Sequence, residues 1–435
     1  MKKFLISLIF FSLAAISLKG QEHLTIKDAI AVGLEHNYGI RLERKDLGIA
    51  ENNNSPGNAG FLPRLNVTAG QSYSVNDSRQ AFLTGQVNDR SGAKSDAFNA
   101  GAQLNWTIFD GMKMFTRRDQ LRQLEEMGEM QLLLTVENTI SNIHQSYFTL
   151  VQLNRQKSVF EKTIALGNER LNLAQDKLAF GSGSKLEVLQ AMVDLNSDSA
   201  VYLKLIDQIG SLQVRINTLL GRKADISFGV DDQIELKQGL DLKQLEQQLL
   251  SRNTSLLLSH KDEQMAVLAL KEVNARYFPE IGLNLGYNFL NQQSESGFLA
   301  ENRSLGLTYG LTASLNLFNG FNTRRELKNL RLQIESSQLR VEALEQELLA
   351  ELKASFDSYI SRQRLILMET HNLASAKENL SIADERYSLG DLSGLEFREA
   401  QKNYLEAETR LLQVVLETKI LETQLLQLAG MLAAE

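Results

Sequence analysis

The chain has 435 residues, 43% hydrophobic and 23% charged, with a net charge of −7 and a pI near 5.5. That is enough for a large core in one or two domains, and without a basic block there is no electrostatic footprint for nucleic acid. Cysteine is absent, which excludes disulfides, thiolate metal sites, thiol nucleophiles and a lipid-modified N-terminal cysteine. Residues 1–20 open with Lys2-Lys3, run apolar from Phe4 to about Leu18 and reach the small Gly20. This reads as a secretory signal peptide, because the run is short of the ~20 residues of a membrane span. Leu24 to about Asn54 is helical in pattern, Ser55-Pro56-Gly57-Asn58 punctuates, and a first strand follows at about 64–75. A polar loop over roughly Asn76 to Asp96 leads to a second strand at about 98–109. Phe109-Asp110-Gly111 then breaks the alternation.

From Met112 to about Phe180 there is no proline, which allows a helix of about 100 Å. Gly181-Ser182-Gly183 stops it, and a second helix runs from Leu186 to Leu220. Residues 222–240 carry mixed signals and read as a connector. Leu242 to Tyr277 is helical again, and a third strand is expected at about 280–290 and a fourth at about 304–317. The fourth alternates strictly, with Leu305, Leu307, Tyr309, Leu311, Ala313, Leu315 and Leu317 on one face and small or polar residues on the other. Phe318-Asn319-Gly320 ends it, a long helix runs to Leu389, Gly390 turns the chain, and a last helix covers Leu395 to Leu428.

The halves repeat. One offset relates Gly181 to Gly390, Ser184 to Ser393, Leu186 to Leu395, Glu187 to Glu396, Ala191 to Ala400 and Gly221 to Gly430. Thr116-Arg117-Arg118 and Thr323-Arg324-Arg325 recur at nearly the same spacing. The sequence therefore divides into a first repeat at 21–221, the connector 222–240 and a second repeat at 241–435. In the last helix Tyr404, Ala407, Leu411, Val414, Thr418, Leu421, Leu425 and Leu428 form a heptad seam, widened by Leu412, Val415, Leu416 and Leu426.

Four two-faced strands cannot close a barrel, and an open sheet of four has two unprotected edges. One solution packs helices on the apolar face. The other closes the sheet with two further copies, making twelve strands with lipid outside and a wet lumen. Tyr73, Trp106, Tyr287 and Tyr309 are then candidates for the membrane interface.

The duplicated order, with strand pairs feeding long helices and glycine turns ahead of acidic helix starts, resembles the TolC family of outer-membrane efflux proteins across essentially the whole mature chain. The resemblance implies a mainly α fold with a β-barrel portion: a homotrimer whose twelve-stranded transmembrane barrel continues into a long periplasmic α-helical barrel. It implies a passive channel-tunnel in the outer membrane of a Gram-negative cell. A periplasmic adaptor and an inner-membrane pump dock onto it, and drugs, metals or proteins leave through it. It places Gly181, Ser184, Leu186, Gly390, Ser393 and Leu395 at adaptor-contact tips, and Glu187, Tyr387, Glu396 and Glu399 at the periplasmic entrance gate. There Tyr387 matches a tyrosine that ties the entrance shut, and the acidic residues form a ring. Three copies of Glu396 and Glu399 would make a six-carboxylate constriction favourable to cations, with pKa values raised by like-charge repulsion. Leu392 stands where the family has an arginine, so its latch does not carry over intact. Local structure offers another account of the same residues: Ser184-x-x-Glu187 and Ser393-x-x-Glu396 are capping boxes, and both glycines are helix stops.

Other chemistry is thin. His23, His36, His144, His260 and His371 have no metal-ligand spacing, and Gly181-Ser-Gly-Ser-Lys only superficially resembles a phosphate loop. The reading is of no enzyme, no cofactor, no metal and no catalytic residue. The competing reading is a soluble periplasmic coiled-coil scaffold or pump adaptor.

Overall fold

The structure is a computed structural model that describes residues 22–237 and 239–434; the signal peptide assigned to residues 1–20 lies outside them. The elements in order are β1 (Glu22–His23), α1 (Ile26–His36), α2 (Tyr38–Asn53), α3 (Pro56–Ala59), β2 (Arg64–Ala81), β3 (Val87–Asp110), α4 (Lys113–Ala179) and α5 (Lys185–Leu219). Then come β4 (Phe228–Gly229), α6 (Leu242–Arg252), α7 (Thr254–Asn274), β5 (Glu280–Ser294), β6 (Glu301–Ser314), α8 (Asn322–Leu389) and α9 (Gly394–Leu428). No helix among the described residues is long and apolar enough to cross a membrane. Two compact units form, and each takes segments from both sequence repeats: one holds the chain to Arg41, Val136–Glu246 and everything from Glu351, the other Leu42–Thr135 and Gln247–Ala350.

Where one helix was expected over Leu24 to Asn54, two form, divided at Asn37. Its side chain accepts from the Ile40 amide at 3.1 Å and donates to the Leu219 carbonyl at 2.8 Å. Asn253 divides the segment Leu242 to Tyr277 in the same way, capping α7 by accepting from the Leu256 amide at 2.9 Å. A polar side chain that caps the next helix ends the one before it.

In the second unit one antiparallel sheet has the order β2-β3-β5-β6. Its register keeps each face uniform across all four strands. One set of rows reads Leu65–Leu104–Leu285–Tyr309, Val67–Ala102–Tyr287–Leu307 and Ala69–Ala100–Phe289–Leu305. The rows between them read Asn66–Gln103–Gly286–Thr308 and Thr68–Gly101–Asn288–Gly306. Asn284 donates to the Thr312 hydroxyl at 3.2 Å, and Thr308 donates to the Gly286 carbonyl at 3.2 Å on that polar face. From Ile281 to Phe289 the apolar rows span about 27 Å along the strand, the scale of the ~25 Å lipid-facing band of an outer-membrane barrel.

This face is bare among the described residues. Leu65, Val67, Leu305, Leu307, Tyr309 and Leu311 are between 61% and 78% exposed. Both edge strands, β2 and β6, lack a further strand partner among the described residues. Among the described residues, therefore, helices packed on the apolar face, the soluble solution, are not what forms.

The strands depart from their expected limits. β2 and β3 continue through the stretch read as a loop over Asn76 to Asp96 and turn only around Phe82 to Gln86. Their pairing needs only backbone, helped by Asp77, which accepts from the Ser91 hydroxyl at 2.6 Å and the Gly92 amide at 2.7 Å. β6 stops at Ser314 rather than 317, because its partner β5 begins at Glu280, opposite Ser314. Tyr73 lies beyond the apolar rows, whereas Trp106, opposite Leu283, lies among them with Tyr287 and Tyr309. The aromatic residues at the helix end are instead Phe61 against Phe115 and Phe318 against Phe321, with exposed Tyr277 and Phe278 lining one cavity with the second pair.

In the other unit α1, α4, α5 and α9 share a core around Leu24, Ala29, Ile143, Tyr147, Leu150, Ile216, Leu220 and Leu416. The connector is fastened there rather than free. Buried Phe228 joins that core, and β4 pairs in parallel with β1. The Tyr147 hydroxyl donates to the Asp231 carboxylate at 2.7 Å and accepts from its amide at 3.1 Å. The Tyr359 hydroxyl donates to the Lys237 carbonyl at 2.6 Å. The α9 seam is buried at Ala407, Val414, Thr418, Leu425 and Leu428, with Leu416 and Leu426 beside it, as its extra width requires.

Half-buried His144 stands 3.3 Å from the Thr423 hydroxyl. Burial, and then the charge of Lys419, pull its pKa down from 6.5 to about 4. A base held neutral in the fold gives stability that is complete above pH 6.5 and lost as pH falls through about 4. Thermal unfolding of His144→Gln is therefore expected to show a smaller loss of Tm than the parent between pH 6.5 and 4; parallel curves would assign the acid sensitivity elsewhere.

Candidate functional site

The ends of the two helical hairpins, α4–α5 and α8–α9, lie side by side. Each turn is set by local chemistry. Gly181 and Gly390 adopt φ of 78° and 86°, the left-handed conformation that lets the amides of the turn donate back to the last carbonyls of the helix. Both capping boxes are complete. Ser184 accepts from the Glu187 amide at 3.2 Å, and Ser393 accepts from the Glu396 amide at 3.3 Å. Each glutamate returns a carboxylate oxygen to the serine amide, at 3.4 and 3.0 Å.

Local structure therefore engages Glu187 and Glu396 in their own helix starts. The Ser393 hydrogen bonds hold the Glu396 carboxyl below its usual range. Glu399, one turn further on the same helix, is exposed and free of any cap. Leu186 and Leu395 are exposed beside Phe180 and Leu389, so each tip presents bare apolar side chains.

Tyr387 is buried, its ring stacked on Phe397 with centroids 5.0 Å apart and the Lys177 ammonium over the ring at 4.7 Å from its centroid. Burial pushes its hydroxyl pKa up; Arg170 opposes the shift and Glu187 adds to it. Leu392 packs into the same cluster, with Leu380, Ala383 and Ala400. It supplies apolar contact at the position where an arginine was expected. Lys177, Ser182, Glu187, Tyr387, Asp391 and Ser393 line an open hollow of about 570 Å³ between the two turns.

The arginines that join the hairpins here were not singled out from the sequence. Arg398 on α9 grips Asp198 on α5 with two bonds of 2.6 and 2.8 Å, and it reaches Asp194 at 3.6 Å and Gln401 at 2.8 Å. Arg170 on α4 donates to Asp194 at 2.8 Å from the other side. Gln401 continues the chain of bonds to the Thr163 carbonyl at 3.1 Å. Asp198 and Arg170 are each 5% exposed and Gln401 1%. The available signal is spacing: Asp194 and Asp198 are four apart, Arg398 and Gln401 three apart, so each pair shares a helix face.

The family described as outer membrane efflux protein matches residues 34–222 and again 245–431, once in each half. The outer membrane efflux protein BepC of Brucella suis biovar 1 is 18% identical over 431 residues, covering 96% of this chain and 88% of that protein. The protease secretion protein PrtF of Dickeya chrysanthemi is 19% identical over 399 residues, covering 89% and 84%. The crystal structure of the Campylobacter jejuni CmeC outer membrane channel superposes with a TM-score of 0.80 at 16% identity, over 93% of this chain and 85% of that one. With its bare two-faced sheet, its paired helical hairpins and a match in each half, the chain belongs to the outer membrane efflux protein family and is an outer-membrane export channel.

Proposed function

We propose that three copies close one twelve-stranded barrel and one helical duct, through which a partner pump expels its cargo. The bare apolar face and the two unpaired edges of the β2-β3-β5-β6 sheet carry this reading. Its strands alternate in direction, so β6 of one copy meets β2 of the next in antiparallel fashion without a change of pattern. Exposed Leu186, Leu189, Val193, Leu203, Ile206 and Val214 along α5 are apolar surface for neighbouring helices to cover.

The duct is passive and catalyses no reaction; the work comes from an inner-membrane pump coupled by a periplasmic adaptor. The hairpin ends bearing Gly181, Ser184, Leu186, Gly390, Ser393 and Leu395 receive that adaptor. Relatives named for efflux and for protease secretion support a cargo of small molecules, such as drugs or metals, or of proteins. Glu399, with Glu396 where its cap releases it, lines the entrance and favours cations; Glu187 and Tyr387 lie beside it.

Planar-bilayer recording tests both levels. The purified channel is expected to conduct, and Glu396→Gln with Glu399→Gln to weaken cation preference and block by multivalent cations. A protein that inserts without conducting would overturn the duct. Conduction with unchanged selectivity in the variant would remove only the acidic ring.

A further inference from the structure

We propose that the strand-to-helix corner of the second repeat binds the phosphate of a phospholipid headgroup. The corner is built the same way in both repeats. Gly111 and Met112 have φ of 71° and 74°, Gly320 and Phe321 of 67° and 60°. A left-handed methionine or phenylalanine is sterically costly, and both side chains stand exposed rather than serving a core. The strained turn thus repeats an outward-pointing apolar wedge.

Beside the second wedge is an open cavity of about 450 Å³, walled by Phe278, Phe318 and Phe321 and by Lys113, Arg276 and Arg324. Asp110 and Glu280 lie on its strand side, and Glu326 engages Arg276 at 2.7 and 3.2 Å. Lys113 is 4.0 Å from Glu272. Arg324 and Arg325 are different: they are exposed, and no acid pairs with either among the described residues. With Phe321 and Lys328 they line a second open hollow of about 410 Å³.

Arginines in a first helical turn oppose the helix dipole, so helix stability does not explain Arg324 and Arg325. The apolar rows of the sheet end at this corner, and aromatic residues there mark the boundary between acyl chains and headgroups. At that depth a guanidinium pair meets lipid phosphates, which it binds through charge-assisted, often bidentate bonds. Acyl chains would continue along the bare apolar face. The inference rests on the sheet's place in the membrane and goes beyond export itself.

The test is native mass spectrometry of the full chain purified in detergent, with dioleoylphosphatidylglycerol, dioleoylglycerol or inorganic phosphate added. The phospholipid should be retained, the diacylglycerol should not, and inorganic phosphate should neither be retained nor displace the lipid. Arg324→Gln with Arg325→Gln should lower retention about tenfold, while Arg324→Lys with Arg325→Lys recovers part of it. Phe321→Gly, which relieves the strained φ, should also weaken retention without lowering Tm. Equal retention of diacylglycerol, or displacement by inorganic phosphate, would overturn the proposal from the parent protein alone. Unchanged retention in the glutamine variant would do the same, and an intact assembly without lipid leaves the export reading standing.

Discussion

Arginine in place of Leu285 is expected to abolish recovery of assembled channel from the outer membrane, whereas arginine in place of Asn99 is tolerated. Both positions are central in the sheet, but they face opposite ways. Leu285 lies in the row Leu65–Leu104–Leu285–Tyr309, and Asn99 lies between Gly70 and Leu290 on the polar face. A cation on the lipid face near the bilayer midplane costs about 2–4 kcal/mol, so three copies lose about 6–12 kcal/mol. That matches the whole stability of an ordinary domain, about 5–15 kcal/mol. On the wet face the same side chain keeps its hydration, and glycine beside Asn99 leaves it room. Fractionation followed by gels that separate assembled from denatured chains reads the difference directly. Equal recovery of the two variants would mean that the faces are assigned wrongly.

Arg398→Ala should separate the two hairpin ends. Asp198 is almost fully buried, and Arg398 supplies both of its short bonds. Breaking a buried pair from one side leaves an uncompensated charge and costs about 3–5 kcal/mol. Arg398→Met combined with Asp198→Leu removes both charges and is expected to restore most of that loss. Hydrogen exchange should show α5 and α9 opening near Asp198 and Arg398 in the single variant and closing again in the double. Conductance of the loosened entrance should rise in parallel. If the single variant exchanges like the parent, the hairpins are held by the Tyr387 and Phe397 cluster instead.

The two capping boxes were legible because every partner lies within four residues: Ser393 and Glu396 need no knowledge of the rest of the fold. The strands were legible wherever one face is greasy. The same rule missed the outer part of the β2–β3 hairpin, where Ser78–Arg90 and Arg79–Asp89 pair without apolar alternation. It overran β6, since Leu315 and Leu317 keep the period but find no partner residue on β5. Asn37 and Asn253 each hide a helix break inside an otherwise helical pattern, because one capping side chain barely alters periodicity. The arginine brace was the least legible feature. Its members are two hundred residues apart, and only the packing of one hairpin against the other brings Asp198 to Arg398. Leu392 signalled that the expected latch was missing, but nothing local said what replaced it.

Closure between copies can be read by cross-linking, because the chain contains no cysteine and introduced pairs report without background. Within one copy β3 and β5 separate β2 from β6, too far for a disulfide. A cysteine fixed at Leu307 on β6 and a second cysteine scanned along β2 from Leu65 to Val75 would therefore link different chains only. Covalent species ending sharply at three chains are expected for one register of the scan. Absence of a disulfide at every position, or a ladder that stops at two chains or continues past three, would contradict closure by three copies.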